Sequence, residues 1–271
     1  MKQPADDVTQ FQAVDQATDP TFFVQFLDTS HALHTAQRYK RVMLEQLAPR
    51  PGATILDVGC GTGQDAQDLA RAVGPHGRVI GIDSSETMLE IARVRAAQAQ
   101  LPVEYVLADA TQLPFADASF DGCQASRVLG HLREPSRALA EMVRVARPGA
   151  RLVAADADFD LIVVELPDRT LARKMIHAIC DQMVQGWIGR QMPRLFQQAG
   201  LRDIWVEGRI MPLDYAFFQH VFGGMLQRAQ AAGAVSAEEL TRFWRTLEEA
   251  EQAGHFFAGT GGFVVSGRKP E

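Results

Sequence analysis

The sequence lacks an excess of basic side chains and has no long apolar run. Its 27 lysines and arginines stand against 33 aspartates and glutamates, which gives a formal net charge of −6. A general attraction to nucleic acids and anionic lipids needs clustered Lys and Arg. No stretch reaches the roughly 20 apolar residues that span a bilayer, and Met1–Val8 contains no apolar signal segment. We therefore expect a cytoplasmic protein without a nucleic-acid or membrane partner.

Cysteine is scarce, and linkers and internal repeats are absent. Cys60, Cys123 and Cys180 are an odd set with wide spacing, which suits neither a disulfide framework nor a zinc site. We expect reduced thiols and no metal. Because no Ser-, Gly- and Pro-rich linker divides the 271 residues, of which 46% are hydrophobic, we expect one domain over residues 1–271.

What the sequence does contain is a rhythm of short apolar runs, turns and helical patterns that begins at residue 53. Apolar strands that alternate with helices form parallel sheets covered on both faces, so the pattern predicts a Rossmann-like, doubly wound α/β core. Helices are predicted to begin near Gly63, Ser85 and Glu134. The predicted strands are Ala53–Val58, Arg78–Ile82, Val103–Leu107, Phe120–Ser126, Ala150–Ala155, Ile204–Ile210 and Gly262–Gly267.

The pattern divides the chain into a helical cap (residues 1–50), a cofactor-binding core (51–160) and a substrate-side half (161–271). An insertion at about 213–255 lies between the last two predicted strands, where it can cover a pocket. The helices predicted outside the core are 20–48, Asp168–Gln185, Arg190–Ala199, Tyr215–Ala232 and, behind an N-cap at Ser236, Ala237–Ala253.

A glycine-rich turn, Gly59–Gly63, follows the first predicted strand. Ligands of doubly wound sheets bind beyond the carboxyl ends of the strands where the strand order reverses, and the first such turn is that place. Glycines permit positive φ and close approach of a ligand, which then faces backbone N–H groups and a helix N-terminus. The spacing fits NAD and FAD proteins too, and also a tight turn without a ligand.

Two aspartates extend the pattern along the sheet edge. Asp83 closes the second strand about 20 residues beyond the glycines, where an acid accepts hydrogen bonds from ribose hydroxyls, although it could merely cap the helix that begins at Glu86. Asp109 ends the third strand and could accept from an exocyclic amine. The row formed by the turn and both acids suits an adenosine across the tip of the sheet.

These residues resemble the class I S-adenosylmethionine-dependent methyltransferases, in the branch of ubiquinone and menaquinone C-methyltransferases and many natural-product enzymes. The resemblance covers about Tyr39 to Leu152 and extends more loosely to Gly267. It implies a seven-stranded sheet with an antiparallel last strand. It is carried by Ile55-Leu-Asp-Val-Gly-Cys-Gly-Thr-Gly63, Gly81-Ile-Asp-Ser-Ser-Glu-Thr-Met88, Asp109-Ala-Thr-Gln-Leu-Pro-Phe115, Ser119-Phe-Asp121 and Arg144-Val-Ala-Arg-Pro-Gly149.

The resemblance also implies S-adenosylmethionine as cofactor and assigns roles to single positions. The glycine turn wraps the methionine part, Asp83 holds the ribose, and the backbone at Arg127 contacts the methionine moiety. Met88 packs on adenine unless it is plain core, and Asp57 orients the turn or lies near the cofactor's amino group. The complete predicted set is Asp57, Gly59, Cys60, Gly61, Gly63, Asp83, Ser84, Met88, Asp109, Ala110 and Arg127, with Cys60 contributing its backbone N–H rather than a nucleophile.

The sulfonium donor is an excellent leaving group, so the enzyme must position the acceptor and, where needed, remove its proton. His131 follows the fourth strand and Asp156 follows the fifth. Related sugar and natural-product O-methyltransferases place a His and an Asp at these positions as base and partner, although the His could instead buttress its loop. His131 is also favoured because an imidazole titrates near working pH.

Three further charged residues follow the fifth strand. Asp158 and Asp160 are predicted on an exposed, solvated turn, with a metal or a cationic substrate as the alternative. Arg190 could hold an acidic substrate or cap and solvate its turn.

The kind of acceptor is inferred from positions where the sequence differs from the respiratory-quinone enzymes and from its aromatic residues. The N-terminal signature of the respiratory-quinone enzymes is absent, and Ala155–Asp158 replaces their Glu-containing strand end. The helical insertion and the aromatic N-terminal helix are predicted to enclose a large apolar pocket, with some of the aromatics packing within this lid against the sheet instead. The aromatics are Phe217, Phe218, Phe222, Phe243, Trp244, Phe256 and Phe257.

We therefore expect O-methylation of a small, partly hydrophobic molecule in secondary metabolism, by a protein that can form a homodimer. The alternatives are C- or N-methylation of a quinone-like or other metabolite, and a methyltransferase-fold protein that binds S-adenosylmethionine without methylating.

Overall fold

One mixed sheet runs through the part of the chain, residues 8–271, that the computed structural model describes. Its seven strands have the order β3-β2-β1-β4-β5-β7-β6, with β1 to β5 parallel and β7 antiparallel to both of its neighbours. The predicted Rossmann-like, doubly wound fold with an antiparallel last strand is confirmed. The strands are β1 Thr54–Val58, β2 Arg78–Asp83, β3 Val103–Leu107, β4 Phe120–Ser126, β5 Ala146–Val164, β6 Arg202–Leu213 and β7 Ala258–Arg268.

Helices cover both faces of the sheet and the carboxyl ends of its strands. They begin where local chemistry allows: the Ser85 hydroxyl accepts from the amide of Met88, and Ser236 forms a capping box with Glu239, as expected for an N-cap. The helices are α1 Thr21–Ala32, α2 His34–Leu47, α3 Gln64–Val73, α4 Glu86–Gln98, α5 Pro135–Val145, α6 Arg169–Cys180, α7 Ile188–Gln198, α8 Tyr215–Ala231 and α9 Ala237–Gln252, with 3₁₀ helices at Val8–Gln16 and Leu129–His131.

Strand β5 is much longer than its apolar run. The sequence predicts Ala150–Ala155, but the strand continues to Val164 because β7 pairs with it as far as Val164. The turn predicted at Asp158 and Asp160 is therefore wrong, since both residues lie in the strand. The helix predicted over Asp168–Gln185 ends earlier, at Cys180.

The helical insertion lies where it was predicted, between β6 and β7. Helices α8 and α9 pack with α6 over the ends of β5, β6 and β7, and this cluster is separate from the two cores on the faces of the central sheet. Residues 1–7 of the predicted cap lie outside the described residues. Within the described residues, no helix is long and apolar enough to cross a membrane.

Candidate functional site

A cavity of about 500 Å³ lies beyond the carboxyl ends of β1, β2, β3 and β4. The N-terminal 3₁₀ helix, α1 and α8 close it from the other side. Cavities at this end of a doubly wound sheet are where ligands bind. The structure brings ten of the predicted site residues into its wall: Gly59, Gly61, Asp83, Ser84, Met88, Asp109, Ala110, Arg127, His131 and Asp156.

The glycine-rich turn has the backbone that its sequence predicts. Gly59, Gly61 and Gly63 all have positive φ, at 65°, 51° and 80°. A Cβ on Gly59 would lie 2.4 Å from Cγ2 of Val128, so glycine is required there for packing as well as for conformation. The turn therefore presents bare backbone to the cavity.

Asp83 braces this turn and faces the same cavity. One carboxylate oxygen accepts from the amide of Gly61 at 2.8 Å, and the other accepts from the amide of Ser85 at 3.0 Å. Burial raises the pKa of Asp83, and these backbone hydrogen bonds oppose the rise. The carboxylate is thus held in place between the first two strand ends, where a ribose hydroxyl of a bound nucleoside can reach its remaining lone pairs.

Three predicted cofactor residues lie behind the cavity wall. Asp57 stands opposite Gln124 in the β1–β4 register and accepts a hydrogen bond from its side-chain amide at 3.0 Å. Burial raises the pKa of Asp57 to about 8. Cys60 is buried under the turn, and Gly63 begins α3 against Tyr105. These three residues support the turn from the side opposite the cavity, because they contact the sheet and the helices that pack on it.

The wall also contains buried polar atoms that the protein leaves without partners. Among the described residues, the hydroxyl of Ser126, Nε of Arg127 and the hydroxyl of Thr260 are buried and make no hydrogen bond. Buried polar atoms are normally paired, so unpaired ones in a cavity indicate a ligand that supplies the partners. The bare backbone at Gly59, the fixed carboxylate of Asp83 and the hydroxyl of Ser126 at the end of β4 fit S-adenosylmethionine, which combines hydroxyl, amino and carboxylate groups.

His131 ends a short 3₁₀ helix at the cavity wall, and Asp156 holds that helix. The carboxylate of Asp156 accepts from the amides of Gly130 at 2.9 Å and Ala157 at 3.0 Å, and burial raises its pKa to about 6. No hydrogen bond joins the imidazole of His131 to another described residue. The structure therefore shows Asp156 contacting the backbone beside His131, rather than a direct pair of base and partner.

The imidazole of His131 does not titrate near neutral pH, contrary to the expectation from its ordinary pKa. Burial, assisted by the positive charge of Arg127, lowers the pKa of His131 to about 4. The ring of Phe11, from the N-terminal 3₁₀ helix, lies 5.4 Å away and covers it. His131 is therefore neutral at pH 7 and can accept a proton.

The N-terminal 3₁₀ helix is a part of the site that the sequence analysis missed. Val8, Phe11, Gln12 and Val14 line the cavity, and Val14 packs with Met88 on α4. The apolar residues at positions 8, 11 and 14 are spaced by three, which is the period of a 3₁₀ helix, so a signal was present in the sequence. Predicting its docking place required the tertiary structure.

The acceptor side of the cavity is apolar, but fewer of the predicted aromatics line it. Phe217 and Phe222 of α8 do, together with Phe159 of β5 and Met211 and Leu213 of β6. The other five aromatics do not line it, and for four of them the alternative of packing within the lid holds. Phe218, Phe243, Trp244 and Phe256 pack within the cluster of α6, α8 and α9, and Phe257 is 55% exposed.

The acidic cluster of β5 is paired rather than solvated. Asp158 is fully buried, and the guanidinium of Arg190 binds both of its carboxylate oxygens at 2.6 Å. Arg190 also contacts Asp160 at 3.3 Å. Arg190 therefore neither caps a solvated turn nor remains open to a substrate, and no cluster of acids, His or Cys within residues 8–271 could hold a metal ion.

Comparison with known sequences finds a methyltransferase family and several relatives. The family described as methyltransferase domain matches residues 56–154. The uncharacterized 37.1 kDa protein in transposon TN4556 of Streptomyces fradiae is 40% identical over 251 residues, which are 89% of this chain and 70% of that protein. The O-methyltransferase cnsE of Penicillium expansum is 43% identical over 44% of this chain and 43% of its own length. The demethylmenaquinone methyltransferase of Renibacterium salmoninarum is 38% identical over 44% of this chain and 47% of its own length.

The chain thus spans less than half of the two named enzymes. Solved structures show the same fold at low identity. The YcgJ protein from Bacillus subtilis has a TM-score of 0.62 with 18% identity, over 87% of this chain and 99% of that one. A SAM-dependent methyltransferase from Aquifex aeolicus has a TM-score of 0.54 with 20% identity, over 93% and 99%. Sheet order, glycine turn and these relatives agree, and the chain belongs to the class I S-adenosylmethionine-dependent methyltransferases.

Proposed function

We propose that the chain acts as one methyltransferase domain that O-methylates a small, partly hydrophobic molecule in secondary metabolism. The observation that carries the proposal is the place of His131. Its neutral imidazole lies in the wall of the same cavity that the row of cofactor residues and the apolar side chains of α8, β5 and β6 line. A hydroxyl acceptor needs a proton acceptor at that place, whereas many C-methylations do not.

The relatives support the choice of oxygen. The O-methyltransferase cnsE is 43% identical over its matched 122 residues, and the O-methyltransferase rstn1 of Aspergillus nomiae is 41% identical over 130 residues. Both matches cover about half of those proteins or less, at 43% and 55%. The O-methyltransferase activity that both names state supports oxygen as the acceptor atom.

The chain's own residues position the acceptor and handle its proton. When bound, S-adenosylmethionine supplies an electrophilic methyl group on a sulfonium. Asp83, Asp109 and the glycine turn would hold it, and Phe217 and Phe222 exclude water from the acceptor side. Nitrogen of His131 accepts the hydroxyl proton as the oxygen attacks, and Asp156 keeps the short 3₁₀ helix in place.

The low basicity of His131 shapes this proposal. With a pKa near 4, the imidazole is a poor base for complete removal of a proton from a phenol, whose pKa is about 10. Proton transfer would therefore accompany bond formation instead of preceding it. Acidic phenols should react faster than aliphatic alcohols for the same reason.

The test uses the purified chain, 13C-methyl-labelled S-adenosylmethionine and a panel of phenols, alcohols, quinols and amines. Release of S-adenosylhomocysteine and a labelled O-methyl product support the proposal. A labelled C- or N-methyl product would favour the quinone-like or amine alternative, and the demethylmenaquinone methyltransferase relative gives that alternative its support. Binding without any S-adenosylhomocysteine would indicate a protein that uses the fold without methylating.

Variants then separate the roles at the site. Asp83→Ala should weaken S-adenosylhomocysteine binding in calorimetry, and unchanged affinity would contradict the ribose assignment. His131→Gln should lower kcat by about 10²- to 10⁴-fold with cofactor affinity unchanged. The exposed His255 offers a matched control, since His255→Gln should leave kcat as it is. A small loss in His131→Gln would make this residue a buttress of its loop. A cytoplasmic location and a homodimer stay predictions.

A further inference from the structure

The backbone of Arg127 is strained at the carboxyl end of β4. Its φ is +60°, a left-handed conformation that side chains other than glycine and asparagine rarely adopt. Its amide nevertheless donates to the carbonyl of Ala155 at 2.7 Å, which ties the strained residue to β5. Strained residues cluster at binding and catalytic sites, so the strain directs attention to what the side chain does.

The guanidinium of Arg127 forms no direct ion pair in the part of the chain that is described, although its charge is near enough to lower the pKa of the buried Asp156. Nε is buried without a hydrogen-bond partner, and no carboxylate forms an ion pair with the group. Two arginines on nearby helices are paired, since Arg95 binds Asp28 and Arg190 binds Asp158, whereas Arg133 lines the cavity as an exposed side chain. A partly buried charge without a partner is unfavourable, so an anion that enters the cavity would bind favourably here.

The surroundings of this guanidinium place it on the acceptor side. It lies over the ring of Phe26 at 5.8 Å, and that ring stacks on Phe217 of α8 at 6.0 Å and contacts Phe11 at 5.7 Å. Its charge also acts on His131, the proposed proton acceptor. The positive group therefore lies beside the aromatic wall formed by Phe26 and Phe217.

We infer that the acceptor carries a carboxylate and that Arg127 binds it, which makes Arg127 a specificity-determining residue. The inference rests on the proposed function. The planar fork of an arginine matches a carboxylate through two parallel hydrogen bonds, and the aromatic wall suits a flat apolar body attached to it. The substrate class is a hydroxylated, partly aromatic carboxylic acid.

This pairing has a consequence for catalysis. The charge of Arg127 is one of the two causes of the low pKa of His131. A bound carboxylate would offset that charge, so the imidazole becomes a better proton acceptor only when the correct acceptor is in place. Uncharged analogues would bind less tightly and also meet a weaker base.

The test compares two probes, cinnamate and cinnamyl alcohol, on the protein saturated with S-adenosylhomocysteine, by calorimetry. The wild type should prefer cinnamate. Arg127→Met should weaken the binding of cinnamate by about 10- to 100-fold, as expected for a lost charge-assisted hydrogen-bond pair. The affinity for cinnamyl alcohol should change by less than about twofold. Arg127→Lys should restore part of the preference. Arg173→Met, which removes an exposed charge on α6 outside the cavity, should change neither probe.

A second experiment tests whether Arg127 binds the carboxylate of the cofactor instead of that of the acceptor. S-adenosylhomocysteine has a carboxylate and 5′-methylthioadenosine has none. If Arg127→Met weakens only the first of these, Arg127 serves the cofactor and the inference is overturned. Equal affinity of the wild type for cinnamate and cinnamyl alcohol also overturns it, even if the variant does not fold. A failure of the proposed function is visible separately, as absence of S-adenosylhomocysteine release with every hydroxylated acceptor.

Discussion

The carboxylate of Asp15 accepts the hydroxyl hydrogen of Ser85 at 2.5 Å, and Ser85 is the N-cap of α4. The amides of Glu86 at 2.9 Å and Thr87 at 3.2 Å donate to the same carboxylate. At the other end of the N-terminal 3₁₀ helix, the hydroxyl of Thr9 accepts from Arg228 of α8 at 2.8 Å. The segment is thus attached on one side to the cofactor helix and on the other to the helical insertion, across the cavity.

Removing Asp15 should therefore speed cofactor exchange. Asp15→Ala removes three hydrogen bonds and an acid at a helix N-terminus, an effect of about 1–2 kcal/mol on the docked segment. We expect faster release of S-adenosylhomocysteine in stopped-flow measurements and faster amide exchange over residues 8–16. Ser236→Ala, which removes the cap of α9 away from the cavity, is the matched control. Equal release rates in both variants would contradict this role.

Gly63 should tolerate alanine much less than another glycine with the same φ. A Cβ on Gly63 would lie 2.3 Å from the hydroxyl oxygen of Tyr105 and 2.9 Å from Cβ of Ala92. Gly254 has a similar φ of 74° but open space around it. We expect Gly254→Ala to cost about 1 kcal/mol from backbone strain alone, and Gly63→Ala about 2 kcal/mol more in chemical denaturation. Adding Tyr105→Phe should recover part of the loss, because it removes the clashing oxygen.

The buried ion pair of Asp158 and Arg190 yields a third prediction. Arg190→Met leaves the fully buried carboxylate of Asp158 without its bidentate partner, which should lower the free energy of unfolding by about 3 kcal/mol. Asp158→Asn in the same chain should restore much of it, since no charge then remains buried. Arg71→Met breaks the exposed pair with Asp68 and should cost less than about 1 kcal/mol. Similar losses in both single variants would show that Asp158 is not desolvated.

The pH dependence of stability should reveal Asp57. Its pKa is about 8 in the folded chain and about 4 in an unfolded one, so the folded state binds more protons between these values. Stability from this group is therefore present at low pH and lost as the pH rises towards 8. Asp57→Asn keeps the hydrogen bond from Gln124 without the charge, and should gain about 1–3 kcal/mol relative to wild type between pH 6 and pH 8. The exposed Asp203→Asn should show no such trend, and parallel curves for Asp57→Asn and wild type would contradict the raised pKa.

The cofactor half of the site could be predicted because its signals are local. The glycines at 59, 61 and 63 have positive φ for reasons that lie within a few residues, and Asp83 reaches the turn because parallel strands end at one edge. However, membership of the motif did not determine which residues reach the cavity. Asp57 and Cys60 belong to the same motif, yet they lie behind the wall, because Asp57 binds Gln124 of β4 and Cys60 packs into the core beneath the turn.

The acceptor half depended on contacts between distant parts of the chain. Asp158 was assigned to a turn because nothing near it in sequence shows that β7, about 100 residues later, extends β5 through it. Seven aromatics were assigned to the pocket. Helical spacing alone could not decide which face of α8 or α9 lines the cavity, and therefore which of these aromatics do. The low pKa of His131 likewise depends on burial under Phe11 and on the charge of Arg127.

The amino-acid sequence by itself determined the fold and the cofactor turn, because strand periodicity, glycine conformation and strand-end acids act over short distances. The reaction class came from the resemblance of its motifs to a known family. The tertiary structure alone decided which carboxylates are paired, which aromatics form the acceptor wall and that the N-terminal 3₁₀ helix closes the cavity. Those outcomes depend on burial and on the partners that folding brings together, and neither is encoded at a fixed spacing along the chain. The unpaired guanidinium of Arg127 is visible only in that arrangement.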